Sequence, residues 1–430
     1  MNAKRLLDTF LELVRIDSPS LREAEVAAWC QAALEQAGCT VRFDDSATQT
    51  GSDTGNLIAI LPAKGDAAEG AGSVTTSTPS SALSTPAPRD NSAPALYFSA
   101  HMDTVSPGEG IEPVISDGII RSAGATVLGG DDKVGVAAII ELVRTLAESD
   151  KPHPAVGVLL SVGEEIGLRG ARAMNLDAGN GEPCFVLDAN GSPGVVIIGA
   201  PFHYLFTATF SGRAAHAGIE PEKGISAIAL ASKAVLGMEL GRLDEHTTAN
   251  VGTISGGNAF NIVPDTCVVT GEFRAMGEAR ALEVKAQIGA AIDAAIGEPV
   301  EGSGVSEAHA ASETDATSET DAAHNGAATS GSTDVPSVTV EWEEEYRGFS
   351  VSASDPLVQL VLSEARALGF PAQALVTGGG SDANIFAEKG LRPLVLGTGM
   401  TNVHSPSESL AVKDLEDLTR LCIALTYACA

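Results

Sequence analysis

The sequence predicts a mixed α/β domain with a mostly parallel sheet, into which a smaller α+β domain is inserted. Short apolar runs alternate with helical patterns up to about residue 201 and again from about residue 349, as in domains built on parallel sheets. Between these positions the order of predicted elements changes to βαββαβ, which is typical of a small split-βαβ sandwich. We therefore expect residues 1–201 and 349–430 to form one domain and residues 202–348 to form the inserted domain.

The elements of the first domain follow from hydrophobic periodicity. Apolar residues at helical spacing from Leu6 to Val14 predict an N-terminal helix with one buried face. A long helix is predicted from Asp131 to Ser149, with the strand-like run ALYFSAH before it and the runs PAVGVLLSVG, CFVLDAN and GVVIIG after it. Farther on, a helix at Asp355–Leu368, the run LRPLVLGTG and a last helix after Lys413 restore the α/β pattern.

The inserted domain begins with the strand-like run HYLFTATFSG. A helix at about Gly224–Leu243 follows, and then come the runs TANVGTISGG and IVPDTCVVTGEFRA. A second helix at about Glu278–Ala295 and the run SVTVEWEEEY complete the βαββαβ order.

Two segments, Ala63–Pro94 and Glu301–Pro336, interrupt these patterns. Both are rich in Ala, Ser, Thr and Gly together with Pro or acidic residues, and neither can bury enough apolar surface to offset the entropy of ordering it. Short apolar runs flank each segment. We therefore predict two disordered loops within the folded domains and no linker between domains.

Charge and cysteine content exclude several classes of protein. The 430 residues include 26 basic and 56 acidic side chains, which gives 26 − 56 = −30, so nucleic acid and membrane partners are not expected. Asp8, Glu12 and Asp17 interrupt the apolar N-terminal stretch before it reaches the length of a signal or membrane segment. The six cysteines form no CxxC motif, and we expect reduced thiols in a cytoplasmic protein.

Ionisable residues lie at the ends of several strand-like runs or follow them. They are His101 and Asp103 in SAHMDTV, Asp131 and Asp132 in LGGDDKVG, Glu164 and Glu165 in GEEIGLRGA, Asp188 in LDAN, and His404 in TNVHSP. In an open α/β sheet, ligand sites gather outside the carboxyl ends of the strands, so these residues can converge on one crevice. Imidazoles combined with carboxylates suit zinc, manganese or cobalt.

Each of these fragments also has a simpler explanation when it is taken alone. Asp131 or Asp132 can cap the helix that follows, and the paired glutamates can lie in a solvated loop. Asp188 and His404 can be turn residues. The occurrence of all the fragments at predicted strand ends favours a metal site.

Together, the motifs resemble those of the dinuclear zinc peptidases of the family that includes peptidase T, aminoacylase, carboxypeptidase G and succinyl-diaminopimelate desuccinylase. The HxD motif, the GGDDK-type motif, GEE followed by IGLRGA, a strand-end Asp and a late His occur in the family's order. The segments SGRAAHAG, GGNAFNIVPD and GEFRA resemble the family's lid motifs, and TGGGSDANIFAEKG resembles its substrate-carboxylate loop. The resemblance covers nearly the whole chain except the two low-complexity segments.

The resemblance implies two Zn²⁺ ions per subunit, with Co²⁺ or Mn²⁺ as alternatives. The implied ligands are His101 and Asp188 for one ion, Glu165 and His404 for the other, and Asp131 as the bridge between them. Glu164 is then expected to be the general base, because adjacent residues at a strand end point in opposite directions. Asp103 resembles the carboxylate that fixes the tautomer of His101. Asp132 resembles the partner in the cis peptide that this family keeps after its bridging Asp.

The inserted domain resembles the lid and dimerisation domain of the family, and a homodimer through this domain is expected. His216 resembles the residue that stabilises the developing oxyanion, often from the partner subunit. Asn261 and Arg274 resemble substrate-binding residues, and the planar fork of Arg274 suits a carboxylate. Five residues at a strand–helix junction are predicted to offer free backbone N–H groups to a substrate carboxylate: Gly378, Gly379, Gly380, Ser381 and Asp382.

Two features favour release of the N-terminal residue from short peptides. The strand-end ligand is Asp188, as in the aminopeptidase-type members, whereas deacylases and carboxypeptidases of the family usually carry Glu. The stretch VLGGDDKVG also resembles the peptidase T motif more closely than the motifs of the other branches. The alternatives are an N-acyl-amino-acid amidohydrolase or carboxypeptidase of the same family, and a non-catalytic metal-binding relative.

Overall fold

The computed structural model of the chain describes residues 1–65, 93–176, 179–297 and 335–429. The helices are α1 (Ala3–Leu13), α2 (Ala24–Gln36), α3 (Ala47–Thr50), α4 (Gly130–Glu148), α5 (Arg169–Ala173), α6 (Ala227–Gly237), α7 (Glu278–Ile296), α8 (Pro356–Ala367), α9 (Asp382–Glu388) and α10 (Val412–Ala428). The strands are β1 (Thr40–Phe43), β2 (Leu57–Leu61), β3 (Leu96–His101), β4 (Pro113–Ser116), β5 (Ile119–Ser122), β6 (Val156–Ser161), β7 (Pro183–Ala189), β8 (Val195–Ala200), β9 (Phe202–Ser211), β10 (Gly241–Asp244), β11 (Thr247–Gly256), β12 (Thr266–Ala275), β13 (Ser337–Tyr346), β14 (Phe349–Ser350), β15 (Gln373–Val376), β16 (Arg392–Gly397) and β17 (Ser409–Ala411). Most of the two segments predicted to be disordered, Ala63–Pro94 and Glu301–Pro336, lies outside the described residues.

The described chain divides into two compact units. Met1–Pro201 and Tyr346–Ala430 form the first unit, and Phe202–Glu345 forms the second. The second unit ends at Glu345, whereas the sequence suggested residue 348. The side chain of Tyr346 accounts for this boundary, because it packs into an apolar cluster of the first unit that also contains Phe386.

A mixed sheet forms the centre of the first unit, with the strand order β1-β2-β6-β3-β7-β16-β8-β14 and with β15 paired to β8. The neighbours β6, β3, β7 and β16 run parallel to one another. β2 is antiparallel to both β1 and β6, and β8 is antiparallel to β16. The predicted fold class, a mixed and mostly parallel sheet with an inserted α+β domain, is confirmed.

Apolar packing holds this sheet against helices. Every residue of β6 is buried, and the rings of Phe98 and Phe185 pack across β3 and β7 with their centroids 5.4 Å apart. α4 contacts β3, β7, α1 and α10, and its residues from Val134 to Val143 are all buried. A mostly apolar helix is expected at such a central position.

Four adjacent parallel strands place the predicted site residues at one edge of the sheet. His101 is the last residue of β3, and Asp188 lies next to the end of β7. Glu164 and Glu165 follow β6, and His404 follows β16. Because the strands run in the same direction, their carboxyl ends meet at this edge.

The second unit is an antiparallel sheet with the order β10-β11-β12-β9-β13, and α6 and α7 pack against β9 and β12. Alternate residues of β9 are buried with residues of these helices: Phe202, Tyr204, Phe206, Ala208 and Phe210. This period of two is the pattern of a strand with one face in the core.

The helix predicted at about Gly224–Leu243 is shorter in the structure. α6 begins after Ser226, whose hydroxyl accepts the N–H of Ala229 at 3.3 Å, and it ends at Gly237. Gly241, with a φ of 88°, then begins β10, which pairs with β11. Two glycines so close together weaken a helix, and pairing with β11 stabilises the extended conformation instead.

Every helix within the described ranges is too short or too polar to cross a membrane. All six cysteines lie within these ranges and are free thiols, and five of them are buried.

We predict that Phe185→Ala lowers the free energy of unfolding of the first unit by about 3–5 kcal/mol, because the substitution leaves a cavity beside Phe98 in the centre of the sheet. The matched control is Phe43→Ala, since Phe43 is 37% exposed at the edge strand β1. We expect this control to cost about 1 kcal/mol or less. Urea unfolding followed by circular dichroism measures both values, and equal losses would contradict the packing described above.

Candidate metal centre

The end of β3 carries the buried residues His101 and Asp103. Nδ1 of His101 lies 3.1 Å from the carbonyl oxygen of Asp103 and 3.3 Å from its carboxylate. These acceptors favour a proton on Nδ1 and leave Nε2 facing Asp131, with Nε2 3.1 Å from Oδ1 of that residue. In this tautomer the neutral imidazole presents the lone pair of Nε2, as a metal ligand must.

The carboxylate of Asp103 also holds the GEE segment. It accepts the backbone N–H groups of Glu164 and Glu165 at 3.0 and 3.2 Å, and the hydroxyl of Ser20 at 2.7 Å. The sequence predicted only the contact with His101. Asp103 therefore connects the end of β3 with the segment that follows β6.

The two aspartates at the start of α4 differ in their contacts. The Asp131–Asp132 peptide bond is cis, as the resemblance implied, and neither residue has helical φ and ψ. The buried carboxylate of Asp132 accepts the N–H groups of Gly135 at 3.0 Å and His101 at 3.3 Å. Glycine is required at position 135, because a Cβ there would lie 2.5 Å from Oδ1 of Asp132. Asp132 thus caps the regular part of α4, whereas Asp131 faces the imidazoles.

Asp131 lies between two histidines. Its Oδ1 is 3.1 Å from Nε2 of His101, and its Oδ2 is 3.1 Å from Nε2 of His404. Glu165 also contacts His404, with Oε1 3.0 Å from the same nitrogen. Potential ligand atoms lie within 4.8 Å of one another in the group His101, Asp131 and Asp188, and also in the group Asp131, Glu165 and His404. The structure therefore brings together the five predicted metal ligands in two groups that share Asp131.

Glu164, the predicted general base, lies beside these groups. Its carboxylate forms a third cluster with His101 and Glu165, within the same 4.8 Å limit. Burial raises the pKa of Glu164 well above its ordinary value, and nearby Asp382, Glu165 and Asp103 act in the same direction against the opposing effect of His101.

Neighbouring groups shift the pKa values of the residues in these clusters. Burial alone would raise the pKa of Asp131, but hydrogen bonds from His101 and His404 outweigh burial and lower it. Hydrogen bonds to Asp131 and Glu165 raise the pKa of His404 to about 10. Burial raises the pKa of Asp188, and the charges of Asp131 and Glu164 add to that effect. The cluster thus carries more carboxylates than its two imidazoles can balance.

These residues fit divalent cations. The donor atoms are imidazole nitrogens and carboxylate oxygens, a set that suits zinc, manganese or cobalt. Buried carboxylates are unfavourable unless an opposite charge compensates them. Two divalent cations would balance the four carboxylates of Asp131, Glu164, Glu165 and Asp188.

Two further charged residues beside this centre were not predicted from the sequence. Lys133, which is 1% exposed, donates to Ser18, Met102 and Thr104 at 2.6–2.9 Å. Glu408 is also 1% exposed and accepts backbone N–H groups at the start of α4. Periodicity could not reveal these roles, because the partners are distant in sequence. The available signal was a lysine within an otherwise apolar helical pattern.

The loop predicted to bind a substrate carboxylate is partly occupied by its own contacts. The N–H of Gly379 donates to the hydroxyl of Thr377 at 3.2 Å, and that of Ser381 donates to the side-chain oxygen of Asn384 at 3.1 Å. The expectation of free N–H groups is wrong for Gly379 and Ser381, because neighbouring side chains already accept their hydrogens. The role of the loop in binding substrate stays a prediction.

In the second unit, His216 and Asn261 lie on two short paired segments. His216 bridges to Ile262, and the N–H of Ala217 donates to the carbonyl of Asn261 at 2.9 Å. The imidazole of His216 is exposed, and its Nδ1 accepts the N–H of Gly218 at 3.1 Å. The structure therefore brings these two predicted residues together.

Arg274 lies on β12 and forms an ion pair with a neighbouring carboxylate. Its Nη2 is 3.2 Å from Oε2 of Glu272, and the same oxygen lies 2.6 Å from Nε2 of His203. The side chain of Arg274 is 30% exposed. The guanidinium of Arg274, a predicted substrate-binding residue, therefore already has a carboxylate partner on its own strand.

A mostly parallel sheet with histidines and carboxylates at its strand ends, in a chain that also carries an inserted α+β unit, is compatible with a metal-dependent hydrolase. The sequence profile of the peptidase family M20/M25/M40 matches residues 97–427. The chain belongs to this family and is a hydrolase of the metallopeptidase class.

Similar proteins cover the whole chain. The uncharacterized protein YqjE of Bacillus subtilis is 35% identical over 425 residues, which span 99% of this chain and 98% of that protein. The crystal structure of aminopeptidase PepT from Bacillus cereus is 31% identical with a TM-score of 0.81, and the match covers 100% of this chain and 99% of that one. A tripeptidase from Staphylococcus aureus is 29% identical with a TM-score of 0.81 and the same coverage.

We predict that Asp131→Ala loses bound metal, because Asp131 is the residue that both ligand groups share. The protein is loaded with zinc and desalted, and elemental mass spectrometry then gives the ratio of zinc to protein. The matched control is Asp417→Ala, which removes another buried aspartate, located in α10 and paired with Lys413 and Arg420. We expect the control to retain the zinc content of the unchanged protein. Full zinc content in Asp131→Ala would exclude a bridging role.

Proposed function

We propose that this protein is a two-metal aminopeptidase that releases the N-terminal residue from short peptides. The observation that supports this most directly is the position of Asp131, whose two oxygens each lie 3.1 Å from a different imidazole nitrogen. Whole-chain similarity to an aminopeptidase and to a tripeptidase supports the same reaction. Asp188 at the end of β7 agrees with the aminopeptidase-type members of the family.

Five residues would hold the two cations. His101 and Asp188 would bind one ion, Glu165 and His404 the other, and Asp131 both. Zinc fits the nitrogen and oxygen donors, with cobalt or manganese as alternatives. When bound, the cations supply Lewis acidity, which polarises the scissile carbonyl and lowers the pKa of the attacking water.

Glu164 would act as the general base. Its carboxylate would accept a proton from the attacking water as the water oxygen bonds to the peptide carbonyl carbon. It would then deliver that proton to the leaving amine as the carbon–nitrogen bond breaks. The hydrogen bond from the N–H of Glu164 to Asp103 supports this assignment, because it fixes the backbone of the base.

Residues of the second unit and of the glycine loop would bind the peptide. His216 would donate a hydrogen bond to the developing oxyanion. Asn261 would bind the peptide backbone, and Arg274 would exchange Glu272 for a substrate carboxylate. Within the first unit, the loop Gly378–Ser381 would bind a carboxylate of the substrate.

The experiment that tests this proposal compares matched tripeptides with free and acetylated N-termini. Zinc- or cobalt-loaded protein is incubated with each peptide, and mass spectrometry identifies the products. We expect the free-amine peptide to yield one amino acid and the residual dipeptide. Cleavage of only the acetylated peptide would instead assign the protein to the amidohydrolases or carboxypeptidases.

The control for this assay is Glu164→Ala. We expect this variant to keep its metal content and to lose turnover by roughly 100-fold or more, because it lacks the proton acceptor. Turnover at the level of the unchanged protein would exclude Glu164 as the base. Metal binding without turnover on any of these peptides in the unchanged protein would favour a non-catalytic relative.

We also propose that two copies of the chain associate through the second unit. Large apolar side chains are exposed on the segments that carry His216 and Asn261: Ile219 is 74% exposed, Phe260 102% and Ile262 44%. Several large apolar side chains exposed on paired segments are typical of protein interfaces. A second copy is the occupant that the family's lid and dimerisation domain suggests.

We predict that Ile262→Glu shifts the protein from dimer to monomer, because a charge would be buried at the interface. Light scattering coupled to gel filtration measures the mass. The matched control is Ile115→Glu, since Ile115 is 45% exposed on β4 of the first unit. We expect the control to remain dimeric, and a dimeric Ile262→Glu protein would contradict the proposed interface.

We propose a cytoplasmic location. The six free cysteines support a reducing compartment, because exported proteins commonly convert cysteines into disulfides.

A further inference from the structure

Glu408 lies in the loop that contains His404, and its side chain is 1% exposed. Both carboxylate oxygens accept N–H groups of the segment 128–131, where α4 begins. Oε2 accepts those of Leu128 and Gly129 at 2.8 and 3.0 Å, and Oε1 accepts that of Asp131 at 3.1 Å. Three charge-assisted hydrogen bonds from one short segment restrict the conformation of its backbone.

The loop that contains Glu408 and His404 is closed at its base. Thr401 and Ser409 exchange two backbone hydrogen bonds of 3.0 Å each, and their hydroxyl oxygens are 2.8 Å apart. The N–H of Glu408 donates to the carbonyl of Ser405 at 3.0 Å. His404 has a φ of 61°, a left-handed conformation that residues other than glycine adopt infrequently. The position of the imidazole therefore depends on how the surrounding loop is held.

We propose that Glu408 is a positioning residue that sets Asp131 and His404 at the separation needed for metal binding before any cation is present. Asp131 and Glu408 are 277 residues apart in sequence, and their contact joins the His404 loop to the start of α4. The contact uses the backbone of Asp131 and leaves its carboxylate available to face the imidazoles. This inference rests on the proposed two-metal function.

Among the side chains of this length, only a carboxylate can accept all three hydrogen bonds at position 408. All three partners of Glu408 are N–H donors, so both of its oxygens must accept. A glutamine would turn its NH₂ group toward an N–H donor and would lose at least one of these hydrogen bonds. The approach is also close, because a Cβ at Gly130 would lie 2.9 Å from Oε1 of Glu408.

The test uses Glu408→Gln in the full chain and measures zinc affinity by competition with a chromophoric chelator. We expect the apparent affinity of the site that contains Asp131 and His404 to fall by roughly 10-fold or more. In the metal-free protein, we also expect the peptide spanning residues 126–134 to exchange its amide hydrogens faster. Loss of fold stability alone would change neither the zinc affinity of the folded protein nor exchange in this peptide selectively.

The matched control is Glu141→Gln. Glu141 lies in α4, and its carboxylate is buried as that of Glu408 is. It accepts the N–H of Asn2 at 2.6 Å and a hydrogen bond from the guanidinium of Arg5 at 2.7 Å. We expect this variant to unfold at a lower temperature while its zinc affinity stays that of the unchanged protein.

A second variant, Gly130→Ala, provides the test if Glu408→Gln does not fold. Its methyl group would push against Oε1 of Glu408, so we expect lower zinc affinity at the same site. Gly289→Ala is its control, because a Cβ at position 289 in α7 meets no atom within 4 Å.

The outcomes separate this inference from the proposed function. Two-site zinc binding by the unchanged protein, with the same affinity and amide exchange in Glu408→Gln, would overturn the positioning role alone. If Gly130→Ala folds and Glu408→Gln does not, unchanged zinc affinity in Gly130→Ala would overturn the positioning role. Failure of the unchanged protein to bind two zinc ions would contradict the proposed function itself.

Discussion

The position of one carboxylate, that of Asp131, is the constraint on which the rest of the structure depends. Its two oxygens face the imidazoles of His101 and His404. His101 is the last residue of β3, and His404 lies in the loop after β16. β7 lies between these two strands and supplies Asp188, while β6 lies on the other side of β3 and precedes Glu165. The parallel order of these strands therefore brings distant segments of sequence together as two groups of potential metal ligands that share Asp131.

Backbone hydrogen bonds to buried carboxylates keep this arrangement in place. Asp103 accepts the N–H groups of Glu164 and Glu165, and Asp132 accepts those of Gly135 and His101. Glu408 accepts three N–H groups at the start of α4. A carboxylate suits this task, because its two oxygens can accept from several donors at once. These contacts hold the backbone at His101, Asp131 and Glu165, which are three of the five potential metal ligands.

The sequence predicted the strand ends, because an apolar run followed by His, Asp or Glu indicates a polar side chain at the carboxyl end of a strand, where parallel sheets place ligand sites. His101, Glu165, Asp188 and His404 could be found in this way, and the resemblance implied the bridge. The end of α6 was missed, because the pairing of β10 with β11 overrides the helical pattern of Gly224–Leu243. Two further features could not be predicted from the sequence, because they depend on side-chain positions in the folded chain. They are the hydrogen bonds that Glu408 accepts at the start of α4 and the hydrogen bonds that Gly379 and Ser381 donate to neighbouring side chains.

The central claim is that Asp131 bridges two cations, and anomalous diffraction from crystals of the zinc-loaded protein tests it most directly. We predict two anomalous peaks about 3.5–4 Å apart. One peak would lie against Oδ1 of Asp131 on the side of His101, and the other against Oδ2 on the side of His404. A single peak, or two peaks that do not have Asp131 between them, would contradict the account.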